Sequence, residues 1–314
     1  HYADDSREHF EISDDPRLAS ESWNEQISLL CNYEGAKLLM EEQAHREIQP
    51  VFRVHEPPNA ERLKKFSRLL NRLIDAHGLS REVWVWRWRD GSYGDQETIA
   101  HYLRRLPRDA ETDAVRRAIT HQAQMLNNAS VFTAVPGPHH SLKLDGYARF
   151  SSPMREVAGI FTHKEILEFC TCGDVPPAAV EDDLALREQV IEAANRARSV
   201  QKKLTKAVYK LAIDDLFEAD LAQPLDARPE RMGTVYGVRP SRVYVRLDEP
   251  AIDVKLYADA LEAEHDTQLT MERSQAVLSS PDDGLRFVVG ARLRLRVVRY
   301  DSPQERWILQ PRTD

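Results

Sequence analysis

The sequence predicts an α+β chain, with a mixed helical and strand portion over residues 1–223 followed by a small five-stranded β-barrel over 224–314. Three observations predict it. Apolar residues recur at helical spacing through the longer first portion, prolines and glycines punctuate those runs, and beyond Pro224 and Pro229 the texture changes to short alternating segments. With 314 residues, 42% hydrophobic and 30% charged, the chain can bury one large core or two smaller ones.

The elements follow in order. From Glu21 to Gln43, the spacing of Ile27, Leu30, Cys31, Leu38 and Leu39 predicts a helix with one buried face. Pro50 and Pro57-Pro58 bracket an extended segment from Val51 to Glu56. Asn59 then caps a helix that runs through Ala76 and closes at Gly78. Val83 to Arg89 alternates strictly and reads as a strand, its tryptophans either a base-stacking platform or core residues beneath a solvated edge. A helix is expected over Glu111–Asn127, then an irregular passage through Pro136-Gly137-Pro138, a helix over Met154–Cys170 and a break at Pro176-Pro177. The next helix, Val180–Phe217, turns basic at Arg196, Arg198, Lys202, Lys203, Lys206 and Lys210, as a solvated face or as a contact for an RNA backbone.

Five strands are expected after the linker: Met232–Val238, Arg242–Leu247, Asp253–Leu256, Arg292–Tyr300 and Arg306–Gln310. Their number suits a Greek-key barrel of the oligonucleotide-binding (OB) type. By pleat geometry Arg292, Arg294 and Arg296 share one face, and Tyr236 and Tyr244 offer stacking surfaces beside it. Cations interleaved with aromatics suit single-stranded RNA. Residues 231–314 hold 13 basic and 13 acidic side chains, so such a footprint must come from their arrangement.

The net charge of −8 argues against indiscriminate adhesion to nucleic acid, which needs a broad basic surface. Cys31, Cys170 and Cys172 cannot staple a fold of this size and lack the spacing of a zinc site, so they read as thiols of a reducing compartment, cytoplasmic or mitochondrial. No signal peptide or membrane span is expected, and the opening His1-Tyr2-Ala3 reads as a cut from a longer protein.

One stretch carries more than texture. His139-His140-Ser141-Leu142, followed by Tyr147-Ala148-Arg149-Phe150-Ser151-Ser152-Pro153-Met154-Arg155-Glu156, resembles the His-Phe-Gly-Leu and Tyr-x-His-Phe-Thr-Ser-Pro-Ile-Arg-Arg-Tyr segments of the ribonuclease II/R (RNB) family. Glu25–Asn32 is similar to that family's Glu-Glu-Phe-Met-Leu-Leu-Ala-Asn, Phe52–Pro58 to its Tyr-Arg-Val-His-Glu-x-Pro, and His163-Lys164 to a later His-Arg. The terminal barrel resembles the S1 RNA-binding domain that follows the catalytic domain in this family.

The resemblance implies hydrolysis of single-stranded RNA from its 3′ end, with magnesium held by an Asp-rich cluster. Arg155 would clamp the scissile phosphate, with His139, Tyr147 and Ser152 along the RNA path and Lys202, Lys203 and the barrel guiding the strand. The chain would be the carboxy-terminal portion of the catalytic domain, and the metal ligands would come from a missing amino-terminal portion or a partner chain. Asp4-Asp5 and Asp14-Asp15-Pro16 are too slight to replace that cluster. Several positions depart from the pattern: Glu156 replaces the second Arg, Val157 the Tyr, Gly159 an Asp, and Gln201 a Glu of the long helix. These departures suit an alternative, a catalytically inactive relative that binds RNA as a scaffold or regulator.

Overall fold

The computed structural model describes residues 18–42, 48–88, 97–151, 155–172, 177–272, 276–282 and 284–312. In chain order the elements are α1 (Ala19–Glu42), β1 (Phe52–Val54), α2 (Ala60–Ala76), α3 (Arg81–Trp84), α4 (Ile99–Arg105), α5 (Asp113–Gln124), β2 (Val131–Thr133), α6 (Val157–Cys172) and α7 (Pro177–Leu221). Then come β3 (Arg231–Arg239), β4 (Arg242–Leu247), β5 (Asp253–Tyr257), α8 (Ala258–His265), β6 (Thr270–Met271), β7 (Val277–Ser279), β8 (Arg286–Val288), β9 (Arg292–Asp301) and β10 (Arg306–Pro311). The α+β class is as expected. Ser152, Met154, Asp4-Asp5 and Asp14-Asp15-Pro16 lie outside the described residues.

The chain forms two compact units. One combines Asp15–Pro58 with Asn127–Val208. In it β1 and β2 pair antiparallel, with Arg53 opposite Phe132, and two small cores form. Val51, Phe132, Ala158, Phe161, Val190 and Ala194 make the first; Ala36, Leu39, Ile48, Phe52 and Ala148 make the second. α1 departs from the expected amphipathic pattern. Ile27 and Leu30 are exposed, and the buried side carries Asn32, Ala36 and Leu39. The irregular passage expected after α5 contains β2, which three residues of Val-Phe-Thr are too short to announce.

The other unit combines Asn59–Leu126 with Tyr209–Asp314. Asn59 caps α2, its Oδ1 accepting from the Arg62 amide at 2.9 Å, and Gly78 ends it with φ +60°, a conformation that costs glycine little. The strands β10-β9-β3-β4-β5 form one antiparallel sheet, and the edge strands β10 and β5 also approach one another within 8 Å. Each expected strand is present to within one residue at either end. Val235, Val243, Val245, Leu256 and Leu295 face inward and share a core with Phe66, Leu70, Ile119 and Tyr102 of the helices. β6-β7-β8 make a separate three-stranded sheet.

The strand expected over Val83–Arg89 is not formed over the described residues 83–88, and Arg89 lies outside them. The segment's first residues complete α3, and residues 85–88 are irregular. The carbonyls a neighbouring strand would need are taken by side chains: Arg105 donates to Val83 and Val85, and Tyr102 Oη to Trp84 at 2.8 Å. Trp84 and Trp86 are buried, and Trp86 Nε1 donates to the Glu97 carbonyl at 2.8 Å, which leaves neither indole as a stacking platform.

Candidate functional site

The signature loop is gripped by one face of α1. Asn32, fully buried, accepts from the amides of Phe150 and Ser151 at 2.8 Å each, and its Nδ2 donates to Tyr147 Oη at 2.8 Å and Ser151 Oγ at 2.9 Å. One turn on, Gly35 lies flat against the Phe150 ring. A Cβ there would fall 2.1 Å from the ring carbon Cδ2. From α6, His163 Nε2 donates to the Phe150 carbonyl at 2.8 Å, and from β1 the Arg53 amide donates to the Tyr147 carbonyl at 2.8 Å. Three elements thus fix residues 147–151, and the chain reaches Arg155, which is exposed at the turn into α6.

Behind the loop stands a histidine group. His55 Nε2 donates to the Asn128 carbonyl at 2.7 Å, leaving its Nδ1 to accept the Ser141 amide at 3.1 Å. His139 is buried with its ring 5.1 Å from Tyr147 and 5.2 Å from His55. Burial, then the nearby His55 ring and the Arg53 charge, depress His139 to about 4, so it is neutral near pH 7.

Two further guanidinium groups, Arg198 and Arg149, lie near enough to Arg53 for their charges to act on it. Arg53 Nε donates to Ser130 Oγ at 3.0 Å, and Arg198 of α7 donates to the Ser130 carbonyl. Arg149 donates to Glu156 Oε1 at 2.6 Å and more weakly to Tyr147 Oη at 3.3 Å. Glu156, standing where the family pattern has Arg, therefore meets Arg149, standing where that pattern has His. Burial, then Arg198 and Arg149, lowers the proton affinity of Arg53.

The described residues bring three carboxylates together at Glu165, Glu168 and Asp183. Lys164 Nζ already lies 3.2, 2.8 and 2.7 Å from their oxygens, and Glu165 Oε2 also accepts the Gln49 amide at 2.7 Å. An ammonium fills the place of a metal. This set does not fit magnesium.

In the other unit a groove of about 630 Å³ is lined by Arg62, Lys65, Arg72 and Arg239 together with His121, Tyr236 and Tyr244. Among the described residues no carboxylate lines it. The Tyr236 ring lies 4.1 Å from His121 and 5.9 Å from Tyr244. The arginines of β9 are placed otherwise. Arg292 pairs with Asp248 and Arg296 with Glu230, which Arg312 shares, while Arg294 is exposed. Lys202 and Lys203 are exposed on α7.

The RNB domain model matches residues 2–171, more than half the chain. The chain belongs to the RNB domain family. Among solved structures, this RNB chain is similar to Mycoplasma genitalium RNase R in complex with ribose-methylated single-stranded RNA. The TM-score is 0.75 at 16% identity, covering 93% of this chain and 42% of that one. Yeast Ssd1, a pseudonuclease, is similar with a TM-score of 0.55 at 16% identity over 84% of this chain and 30% of its own. The Dss1 exoribonuclease of Candida glabrata, in an active-site mutant form, gives 0.56 at 13% identity over 92% and 28%. At these identities the likeness is one of fold, and the RNB chain spans less than half the length of each. No curated protein matches it in sequence. Among the described residues no helix is long and apolar enough to cross a membrane.

Neither Asn32 nor Gly35 stood out in the sequence as more than helix residues, and Arg53 and Arg149 were hidden inside motif matches. The RNB-like Asn at the end of the Glu25–Asn32 match was the available signal for Asn32.

Proposed function

We propose that the chain is the carboxy-terminal portion of an RNB-family 3′-to-5′ exoribonuclease acting on single-stranded RNA. The observation that carries this is the seat of the signature loop: Asn32, Gly35 and His163 hold residues 147–151, and Arg155 is exposed at the turn into α6. An exposed guanidinium there can donate two parallel hydrogen bonds to a phosphate and stabilise charge as it develops. Magnesium, which the family resemblance implies, would activate water and neutralise phosphate charge when bound. The described carboxylates do not supply its site, and its ligands are proposed to come from residues outside this chain.

Residues 224–314 are proposed to be an S1-type OB-fold domain, a reading supported by the five-strand sheet and the approach of its edges. Within its own unit the basic groove would hold RNA, with Tyr236 and Tyr244 as stacking faces and Arg62, Lys65 and Arg239 as the charge. His139 and Tyr147 shape the loop from behind, and Lys202, Lys203 and Arg294 add exposed charge.

A second reading, a non-catalytic RNA-binding relative, is favoured by the Arg149–Glu156 pair and supported by the similarity to the pseudonuclease Ssd1. The two separate when the natural full-length protein meets 3′-labelled and 5′-labelled RNA, with magnesium or a chelator. Metal-dependent release of 3′ nucleotides supports the enzyme. Intact but retarded RNA supports the binder, and RNA neither cut nor retarded removes both readings.

A further inference from the structure

We infer that Arg53, Arg149 and Arg198 form a phosphate-binding subsite separate from Arg155, and that the Glu156 carboxylate holds the place of the phosphate until RNA arrives. That the phosphate belongs to RNA rests on the function proposed above.

The three cations come from three places in one unit: Arg53 from β1, Arg149 from the signature loop and Arg198 from α7. Arg53 and Arg198 converge on Ser130, one on its hydroxyl and one on its carbonyl, so neither is satisfied by a carboxylate there. Burial, then the charges of Arg198 and Arg149, disfavour the Arg53 cation, and Glu156 favours it. Among the described residues the carboxylate paired with this group is Glu156, on Arg149, where Arg149 is 22% and Glu156 33% exposed.

Gathering like charges away from water costs free energy, and burial adds to it. Such an arrangement gains when an anion with several acceptor oxygens enters. A phosphodiester offers two unesterified oxygens, against the single Glu156 oxygen that Arg149 now engages. Arg149 also keeps donors in reserve: its Nε is buried without a hydrogen-bond partner, and its bond to Tyr147 is long. Guanidinium groups are suited to the task because their planar fork matches phosphate oxygens.

Glu156 therefore has a role other than simple repulsion of a polyanion. It neutralises part of the cluster in the free protein, and it must swing away when phosphate binds. Because Glu156 follows Arg155 directly in the chain, that displacement is linked to where Arg155 stands.

The test uses the full-length protein in chelator, with fluorescence anisotropy of a 12-nucleotide single-stranded RNA across a salt series and, separately, thermal stabilisation by inorganic phosphate. Glu156→Gln is expected to tighten RNA binding about three- to tenfold, a gain that misfolding cannot produce. Arg149→Gln and Arg198→Gln are expected to weaken it about fivefold or more and to lower the salt slope by about one. If the wild type binds RNA and all three variants stay within twofold of it, the subsite is overturned while the proposed function stands. If the wild type binds no RNA, the proposed function fails and the phosphate arm decides. Stabilisation increased by Glu156→Gln and lost in Arg149→Gln keeps the subsite as a free-phosphate site; equal stabilisation in all variants removes it.

Discussion

Replacing Asn32 by alanine is expected to loosen the signature loop without dismantling the unit. The side chain is fully buried and makes four hydrogen bonds of 2.8–2.9 Å. Alanine leaves the Phe150 and Ser151 amides without an acceptor in a part-buried setting, and an orphaned donor costs roughly 1–3 kcal/mol. The hydroxyls of Tyr147 and Ser151 can turn elsewhere and contribute less. The expected loss is about 3 kcal/mol, read from urea unfolding at unchanged m-value. Asn32→Leu, which keeps the branched shape and leaves no cavity, should lose at least as much, because the cost arises from unmet donors. Amide exchange should quicken at Phe150 and Ser151 beyond any change in α7. A near-neutral Asn32→Leu, or unaltered exchange at those two amides, would refute the reasoning.

The remaining predictions test other parts of the site. Gly35→Ala drives a methyl into the Phe150 ring, and overpacking of this kind should cost about 1–3 kcal/mol by denaturant titration. His139, depressed to about 4, binds a proton more weakly folded than unfolded, so its stabilising contribution is full above about pH 6.5 and falls as pH drops toward 4. That change is roughly 3 kcal/mol at most, and unfolding of a His139→Gln variant should show a flatter slope over that window. Lys164→Met strands the Glu165, Glu168 and Asp183 carboxylates and should destabilise by about 3–5 kcal/mol; a neutral result would mean the three are not held by that ammonium.

The terminal strands were legible because alternation and proline or glycine boundaries leave a period-two signature, as in Arg242–Leu247. β6, β7 and β8 were not, since two or three residues give no period to read. Val83–Arg89 misled because an alternating aromatic run resembles a strand in sequence. What decides is Arg105 and Tyr102, some twenty residues away, which take the backbone carbonyls. At the site, the motif pointed to Arg155 but not to its supports. Gly35 and Asn32 are ordinary on a helix until Phe150 folds against them, and Glu156 reads as a lost cation until Arg149 is found opposite it. The β9 arginines show the converse: their shared face was readable, but their carboxylate partners Asp248 and Glu230 come from other parts of the chain.

The central claim is tested most directly by single-turnover degradation of a 5′-labelled single-stranded RNA by the full-length protein and its Arg155→Ala variant. The expected result is stepwise shortening from the 3′ end by the wild type, slowed at least about 100-fold in the variant with RNA affinity little changed. Full-length RNA persisting with the wild type in magnesium, or equal rates for the two proteins, would contradict it.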